Sequence, residues 1–186
     1  MFIDPVVYTA APEGGREDVE MRCYALLDGL GIAYKRCDHE HADTIEACEA
    51  VEEILGISIC KNLFLTNRQQ TEFYLLLMPG KKPFKTKLPS KQIGTARLSF
   101  ASPEHMTALL GVQPGSVSIL GLMDDREKKV HLLIDKDVFA EENFGCHPCK
   151  NTTSLGMSTA DVREKLIPAL GHEAGFVELP WNVEEV

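Results

Sequence analysis

The feature that most constrains the fold is a run of six apolar residues at positions 73–78, Phe-Tyr-Leu-Leu-Leu-Met. A strand with one face in water alternates apolar and polar residues, and this run has no polar face to offer. Its six residues are far fewer than the roughly 18 needed to cross a bilayer. Residues 59–66 are also β-prone, and the polar segment 67–71 separates the two runs as a hairpin loop would. We therefore expect a hairpin whose second strand is covered on both faces at the centre of a sheet.

Strand and helix patterns alternate irregularly along the rest of the chain, which predicts an α+β domain with a mixed sheet rather than a doubly wound parallel one. Strands are predicted over 34–37, 59–66, 72–79, 97–100, 129–134 and 151–157. Helices are predicted over 17–30, from a capping box at 43–46 to Gly56, around Ser90, from Ser102 to Leu110, and over 158–170, with a helical turn at 136–142. The 186 residues suit one domain over 17–171, with an N-terminal extension (1–16) and a C-terminal tail (172–186).

Charge is distributed unevenly along the chain. The net charge is −9, yet residues 54–103 carry eight basic side chains and one acidic one, which makes this segment +7 and the remainder −16. A positive face on an acidic protein can hold phosphate groups, although a solvated rim of lysines would give the same pattern. The N-terminus has neither the basic nor the apolar region of a signal peptide, so we expect a cytoplasmic protein whose six cysteines are thiols.

Two histidine and cysteine motifs are weak candidates for chemistry. His39 and His41 are two residues apart, but the sequence shows no partner ligands nearby that would favour a metal. Cys146 and Cys149 form a CxxC pair, and no second pair exists to complete a zinc site. A redox dithiol would need a helix N-terminus at the first cysteine, whereas β-prone, turn-rich residues follow. Two thiols flanking a loop proline remain the plainer interpretation.

Two further segments indicate a binding site. Residues 115–121 form a small-residue loop, which would expose backbone N–H groups and the hydroxyls of Ser116 and Ser118 to a phosphate or an ester oxyanion. Lys61 and Asn62 stand near the start of the first strand of the hairpin. Taken singly, the loop could equally be an ordinary turn and the lysine could be exposed at the strand end.

Five segments recur together, in this order, in a known family: residues 61–65, 73–80, 97–101, 115–118 and 144–148. On these segments the sequence resembles the YbaK/EbsC superfamily of aminoacyl-tRNA editing domains, and within it the prolyl-tRNA editing proteins of the ProXp-ala or PrdX type. The resemblance covers roughly residues 20–170. It implies a compact α+β domain with a mixed, strongly curved sheet flanked by helices.

The resemblance also implies an activity. This is hydrolysis of the ester that links a mischarged amino acid to the terminal adenosine of tRNA(Pro), with alanine as the first expected amino acid. Water would attack the ester without a covalent intermediate, and no cofactor or metal is implied. Lys61 matches the essential lysine of the family, Asn62 its pocket neighbour, and His147 the histidine near the site. The glycine-rich wall that holds the aminoacyl end matches Gly115, Ser116, Val117 and Ser118. Many relatives have a proline where this chain has Ile119.

The expected partners are tRNA(Pro) and, as a further candidate, prolyl-tRNA synthetase, with no membrane involved. The expected tRNA-backbone surface consists of Lys81, Lys82, Lys85, Lys87 and Lys91. Three alternatives stay open at this point. The chain could be a Cys-tRNA(Pro) deacylase, a non-catalytic RNA-binding module that uses the same positive face, or a thiol-redox protein centred on Cys146 and Cys149.

Overall fold

The computed structural model describes residues 1–42 and 44–182, and eight strands in this part of the chain form one mixed sheet. They are β1 (Tyr34–Asp38), β2 (Ser58–Thr66), β3 (Phe73–Pro79), β4 (Ser99–Phe100), β5 (Val130–Asp135), β6 (Asn143–Cys146), β7 (Thr153–Ser158) and β8 (Ala174–Val177). The order is β1-β7-β6-β2-β3-β5-β8, with β4 paired to β2. Three pairs, β2–β6, β3–β5 and β5–β8, are parallel and the others are antiparallel. The predicted α+β class with a mixed sheet is confirmed.

The apolar run lies in β3, between β2 on one edge and β5 on the other. All six of its residues are buried. Leu75 and Leu77 belong to the larger apolar cluster of the protein, whereas Leu76 and Met78 belong to a second cluster. Because successive side chains of a strand point to opposite faces, the two clusters lie on the two faces of the sheet. The prediction of a central strand covered on both faces is confirmed.

The helices begin and end near the predicted residues. They are α1 (Asp18–Gly29), α2 (Ile45–Leu55), α3 (Lys87–Gln92) and α4 (Pro103–Leu110), followed by α5 (Thr159–Asp161), a π-helical turn (Val162–Leu166) and α6 (Ile167–Ala169). Ser102 caps α4 by accepting a hydrogen bond from His105 N, and Gly56 ends α2 in the left-handed conformation. Thr44 caps α2, whereas Asp43 of the predicted capping box lies outside the described residues. No described helix is long and apolar enough to span a membrane.

The sequence did not reveal two of the strands, β6 and β8. Each has four residues, and each pairs in parallel with a strand that is distant in the sequence: β6 with β2 and β8 with β5. β8 lies in the segment that we treat as a tail, and the boundaries at 16/17 and 171/172 stay predictions. The N-terminal segment also touches the sheet, through single bridges from Ile3 to His39 and from Tyr8 to Arg36.

The outer edge of β2 has two different partners with a gap between them. β6 pairs with Ser58 and Ile59 at one end, and β4 pairs with Leu65 and Thr66 at the other. Residues 60–63 pair with β3 on the inner edge, but no described strand pairs with them on the outer edge. The sheet therefore opens along β2 at the predicted site residues Lys61 and Asn62.

A close backbone approach next to this opening gives a testable consequence. Gly80 directly follows β3, and a Cβ atom there would lie 2.7 Å from the carbonyl oxygen of Ile59. Gly80→Ala must therefore displace backbone, and we expect a loss of about 1–3 kcal/mol in the free energy of unfolding, measured by urea denaturation.

Gly29→Ala is the matched control, because a Cβ at Gly29 meets no atom within 4 Å. That variant should be as stable as the wild type, or up to about 1 kcal/mol more stable, since alanine favours the helical conformation. Equal unfolding midpoints for Gly80→Ala and the wild type would contradict the prediction.

Candidate active site

Lys61 borders a cavity of about 400 Å³ beside the opening in the sheet. We call it the lysine cavity. Its wall includes Lys61 and Lys81, Glu49 and Glu52 from α2, and Gly115, His147 and Asn151 from two loops. The structure thus brings Lys61 together with two other predicted site residues, Gly115 and His147, which are far from it in the sequence.

The Lys61 side chain is half-buried and held at its end. Its ammonium donates a hydrogen bond to the backbone carbonyl of Lys82 over 2.7 Å. An ammonium group has three N–H donors, and this is the one hydrogen bond that it makes within residues 1–42 and 44–182, so two donors remain for a ligand. Lys61 is therefore a fixed positive charge on the wall of the cavity.

Asn62 lines a second, adjoining cavity of about 280 Å³, which we call the amide cavity. Lys61 and Asn62 are successive residues of β2 and so point to opposite faces, yet Cys60, Gly115 and His147 line both cavities. The Asn62 Nδ2 donates to the carbonyl of Cys60 at 3.1 Å. Its Oδ1 is buried and has no hydrogen-bond partner among residues 1–42 and 44–182.

The hydroxyls of the 115–118 loop do not face the cavities, and the expectation that they are exposed is wrong. Ser116 is 6% exposed and Ser118 is fully buried. Ser116 Oγ accepts a hydrogen bond from Asn151 N at 3.2 Å, and Ser118 Oγ donates to the carbonyl of His147 at 2.6 Å. Both hydroxyls are therefore used to join this loop to the segment that carries His147.

The backbone of the same loop keeps free donors. The N–H groups of Gly115 and Val117 find no acceptor in the described part of the chain, and both residues line the amide cavity. Ser116 N, by contrast, is bonded to Gln113 O at 3.0 Å. The groups of this loop that are available to an oxyanion or a phosphate are thus main-chain N–H groups rather than the hydroxyls. That Gly115, Ser116, Val117 and Ser118 bind the substrate stays a prediction.

The tautomer of His147 follows from its surroundings. Its Nδ1 lies 2.9 Å from the carbonyl oxygen of Thr153, which can only accept, so Nδ1 carries the proton and Nε2 is the bare acceptor. Burial lowers the pKa of His147 below its ordinary value, and the nearby ring of His39, 6.3 Å away between centroids, acts in the same direction. At neutral pH His147 therefore presents an uncharged acceptor to the cavities.

The CxxC thiols lack the surroundings of a reactive dithiol, namely exposure to solvent and a helix N-terminus at the first cysteine. Cys146 is the last residue of β6, not the first of a helix, and both Cys146 and Cys149 are buried. Burial raises the pKa of Cys146. Cys149 lies against Cys23 of α1, with 3.6 Å between the sulfurs, and this hydrogen bond together with burial raises the pKa of Cys23. The thiols of Cys146 and Cys23 therefore stay protonated at neutral pH, and neither cysteine of the CxxC pair begins a helix, which removes the basis for the redox alternative.

The predicted tRNA surface needs one correction. Lys81, Lys87 and Lys91 are exposed and Lys85 is half-buried, but Lys82 is fully buried and paired with Asp135. A side chain without access to solvent cannot meet a phosphate, so Lys82 does not belong to this surface. Arg97 is exposed on the same basic segment.

The histidine motif offers no metal site in the part of the chain that the structure describes. Both ring nitrogens of His39 are engaged, Nδ1 with Glu40 O at 2.7 Å and Nε2 with Ser154 Oγ at 2.9 Å. No group of three or more metal-ligating side chains occurs among residues 1–42 and 44–182.

Most of the residues that line the two cavities were absent from the predicted set, among them Cys60, Phe100 and Asn151. Cys60 directly precedes Lys61, and Asn151 follows the CxxC motif by two residues, so adjacency to named motifs was the available signal. Phe100 is an aromatic residue of an edge strand and is 59% exposed, next to the mouth of the amide cavity.

Comparison with known proteins identifies the family of this chain. The sequence pattern of the aminoacyl-tRNA editing domain matches residues 39–165. The prolyl-tRNA editing protein ProX of Acetoanaerobium sticklandii is 30% identical over 162 residues, which cover 87% of this chain and 98% of that protein. Prolyl-tRNA synthetase associated domain-containing protein 1 of Danio rerio is 26% identical, over 82% of this chain and 81% of that protein.

Solved structures share the fold. A candidate trans-editing enzyme for prolyl tRNA synthetase superposes with a TM-score of 0.65 over 89% of this chain and 100% of that one, at 16% identity. A scaffold used for epitope grafting superposes with a TM-score of 0.68 over 90% of this chain and 100% of that one, also at 16% identity.

The matched family defines an editing enzyme, a hydrolase that removes amino acids from tRNA. The chain belongs to the aminoacyl-tRNA editing domain family and is an aminoacyl-tRNA deacylase. The matched region 39–165 contains Lys61, the 115–118 loop and His147, and therefore every residue that the two cavities bring together from the predicted set.

The state of His147 gives a pH-dependent prediction. Its folded pKa lies below the ordinary 6.5, so the unfolded chain takes up the proton first as the pH falls. The folded state is therefore most stable, as far as His147 is concerned, above pH 6.5. Its free energy of unfolding declines as the pH falls from 6.5 through the folded pKa. NMR titration of the ring should give a midpoint below 6.5, and urea denaturation should show declining stability over the same interval.

The control for this experiment is His147→Asn. In this variant the free energy of unfolding should decline less as the pH falls. His39 retains its share, because burial lowers its pKa as well. A midpoint for His147 above 6.5 would show that the ring is not held as the structure has it.

Proposed function

We propose that this chain hydrolyses mischarged tRNA(Pro), with Ala-tRNA(Pro) as its main substrate. The observation that carries the proposal is the juxtaposition of a fixed ammonium, Lys61, with two loop residues, Gly115 and His147, around one cavity. The 30% identity to a prolyl-tRNA editing protein supports the choice of tRNA.

Water is the nucleophile in the proposed reaction, because the candidate side chains near the cavities are unsuited to attack. Cys60 lines both cavities, but burial raises its pKa to about 12, so its thiol stays protonated at neutral pH. Ser116 and Ser118 are buried and hydrogen-bonded. We assign activation of the water to the ribose hydroxyl next to the ester, a group that the substrate itself brings.

The positive charge of Lys61 and the free N–H groups of Gly115 and Val117 stabilise negative charge in this mechanism. Attack on the ester carbonyl creates an oxyanion, and donors that are already in place lower its energy without rearranging. Lys61 has two N–H donors left for this oxygen or for the 3′-terminal phosphate. Loss of one such donor costs on the order of 3 kcal/mol, or about two to three decades in rate.

Selection by size follows from the cavity walls. A methylene distinguishes substrates by only about 1–3 kcal/mol in a synthetase, so a second site that admits alanine and excludes the larger proline is useful. Gly115 lines both cavities, and the hydrogen bonds of Ser116 and Ser118 hold the loop in place. Ile119, which stands where many relatives have proline, is fully buried in the main apolar cluster. Burial of the Ile119 side chain thus holds the loop in position, as a rigid proline would.

The decisive experiment is single-turnover deacylation of Ala-, Pro- and Cys-tRNA(Pro) by the wild type and by Lys61→Ala. We expect selective release of alanine and a rate lower by about 10²- to 10³-fold in the variant. Lys129→Ala is the control, since Lys129 is an exposed lysine paired with Glu127 and lies outside both cavities.

Each other outcome selects a different function. Faster release of cysteine than of alanine would make the chain a Cys-tRNA(Pro) deacylase. Tight binding of tRNA without hydrolysis by the folded wild type would leave an RNA-binding module. Near-normal turnover by Lys61→Ala would remove the role assigned to that lysine.

The basic segment is proposed to hold the tRNA backbone through its exposed cations, among them Lys87 and Lys91 on α3. Phosphate contacts release counterions, so tRNA binding should weaken steeply as salt rises. In Lys87→Glu/Lys91→Glu the slope of log K against log salt should fall by about 0.7–0.9 for each phosphate that the variant no longer neutralises.

Arg163→Glu/Lys165→Glu makes the same change in net charge on another exposed segment and serves as the control. Equal slopes for the wild type and both double variants would exclude α3 from the tRNA surface.

A further inference from the structure

Lys82 is enclosed by oxygen atoms. Its ammonium lies 3.0 and 2.9 Å from the two carboxylate oxygens of Asp135, 2.8 Å from Asp137 Oδ2 and 2.7 Å from the carbonyl of Leu179. The ring of Trp181 covers it, with 4.9 Å from Nζ to the ring centroid. Lys82 is 0% exposed, and the three N–H donors of its ammonium are taken up by these partners.

The backbone of the same residue holds the amine of Lys61. Lys82 O accepts the hydrogen bond from Lys61 Nζ at 2.7 Å, while Lys82 N donates to Pro79 O at 3.1 Å. The side chain of Lys82 is therefore anchored in the core, and its carbonyl is the one described contact that fixes the end of Lys61. A shift of the Lys82 main chain would move the ammonium of Lys61 relative to Gly115 and His147.

The anchor depends on the C-terminal segment as well as on β5. Asp135, the last residue of β5, also accepts a hydrogen bond from Leu179 N at 3.2 Å. Trp181 Nε1 donates to Asp137 Oδ2 at 2.9 Å. The oxygen atoms around Lys82 are thus held in position from two sides, and we call this set of contacts the Lys82 cage.

From these contacts we propose that Lys82 is a positioning residue of the active site, which acts through its own carbonyl on the ammonium of Lys61. This inference rests on the proposed function only in that Lys61 must take part in the reaction. Lys82 is one of several lysines in the basic segment, and the sequence does not distinguish it from the others. Its complete burial in the structure does distinguish it.

The test is a double substitution, Lys82→Met/Asp135→Asn, which removes the two fully buried charges together so that no fully buried carboxylate is left facing an empty position. The remaining carboxylate, Asp137, is 31% exposed. A displacement of about 1 Å at a reacting group can cost about 10²-fold in rate, so single-turnover deacylation should slow by about that factor. The salt dependence of tRNA binding should not change, because Lys82 does not reach solvent. The reactivity of the Lys61 amine towards an acylating reagent, mapped by mass spectrometry, should rise.

His172→Gln is the matched control. His172 and Asp125 form another buried pair, 2.9 Å apart, beside the start of β5, whereas Asp135 lies at its end. This variant should lose stability while the rate per folded molecule and the reactivity of Lys61 stay at the wild-type values. If the double variant behaves like this control, Lys82 has a structural role only and the inference is wrong.

Two further variants keep the outcome unambiguous. If the double variant does not fold, Asp137→Asn gives a milder change, because the Asp137 side chain is 31% exposed. This variant should slow deacylation and raise the reactivity of Lys61, both by smaller factors than the double variant. Unchanged values would overturn the inference. Lys61→Ala is measured in parallel. Absence of deacylation by the wild type would refute the proposed function, and near-normal turnover by Lys61→Ala would refute the role of Lys61. An inactive Lys61→Ala beside a fully active double variant would refute the role of Lys82 alone.

Discussion

The candidate active site depends on the way in which β2 is paired. One edge of this strand is bonded to β3 along its length, and the other edge meets β6 and β4 at its two ends, with residues 60–63 between them. Backbone groups inside a protein need partners, so such a gap must be closed by side chains, by loops or by a ligand. Asn62 meets part of this need by bonding the carbonyl of Cys60. The loops that carry Gly115 and His147 close over the rest and leave the two cavities.

The polar groups around the cavities are held in place before any substrate arrives. Ser118 joins the small-residue loop to the carbonyl of His147, Thr153 orients the His147 ring, and Lys82 holds the amine of Lys61. Electrostatic stabilisation of a developing charge is most effective when the donors need no reorganisation. In the proposed mechanism the donors come from the main chain and from Lys61, and the contacts described above hold both in place.

The sequence predicted those parts of the fold that depend on local patterns. The β2–β3 hairpin followed from two apolar runs around a polar loop, and α4 followed from Ser102 and Pro103 at its start. β6 and β8 were missed because four-residue strands carry little signal of their own. β8 pairs with the distant β5, and β6 pairs with the distant β2 as well as with its neighbour β7. Lys82 was misplaced for a related reason: it stands among other lysines, and its burial depends on Asp135, which is 53 residues away. Of the predicted site residues, Lys61, Gly115 and His147 line one cavity, and their role in binding and catalysis stays a prediction. The inward direction of the serine hydroxyls depends on contacts that no local pattern contains.

The Lys82 cage also has a consequence for the order in which the molecule is made. Lys82 and Lys61 leave the ribosome early, Asp135 follows much later, and Leu179 and Trp181 are the last members of the cage to appear. Until they do, the ammonium of Lys82 lacks one oxygen partner and its covering ring, and the carbonyl that holds Lys61 is less firmly fixed. If Lys82 positions Lys61 as proposed, the geometry of the candidate site is completed only once Leu179 and Trp181 have been synthesised, after most of the sheet can already have formed.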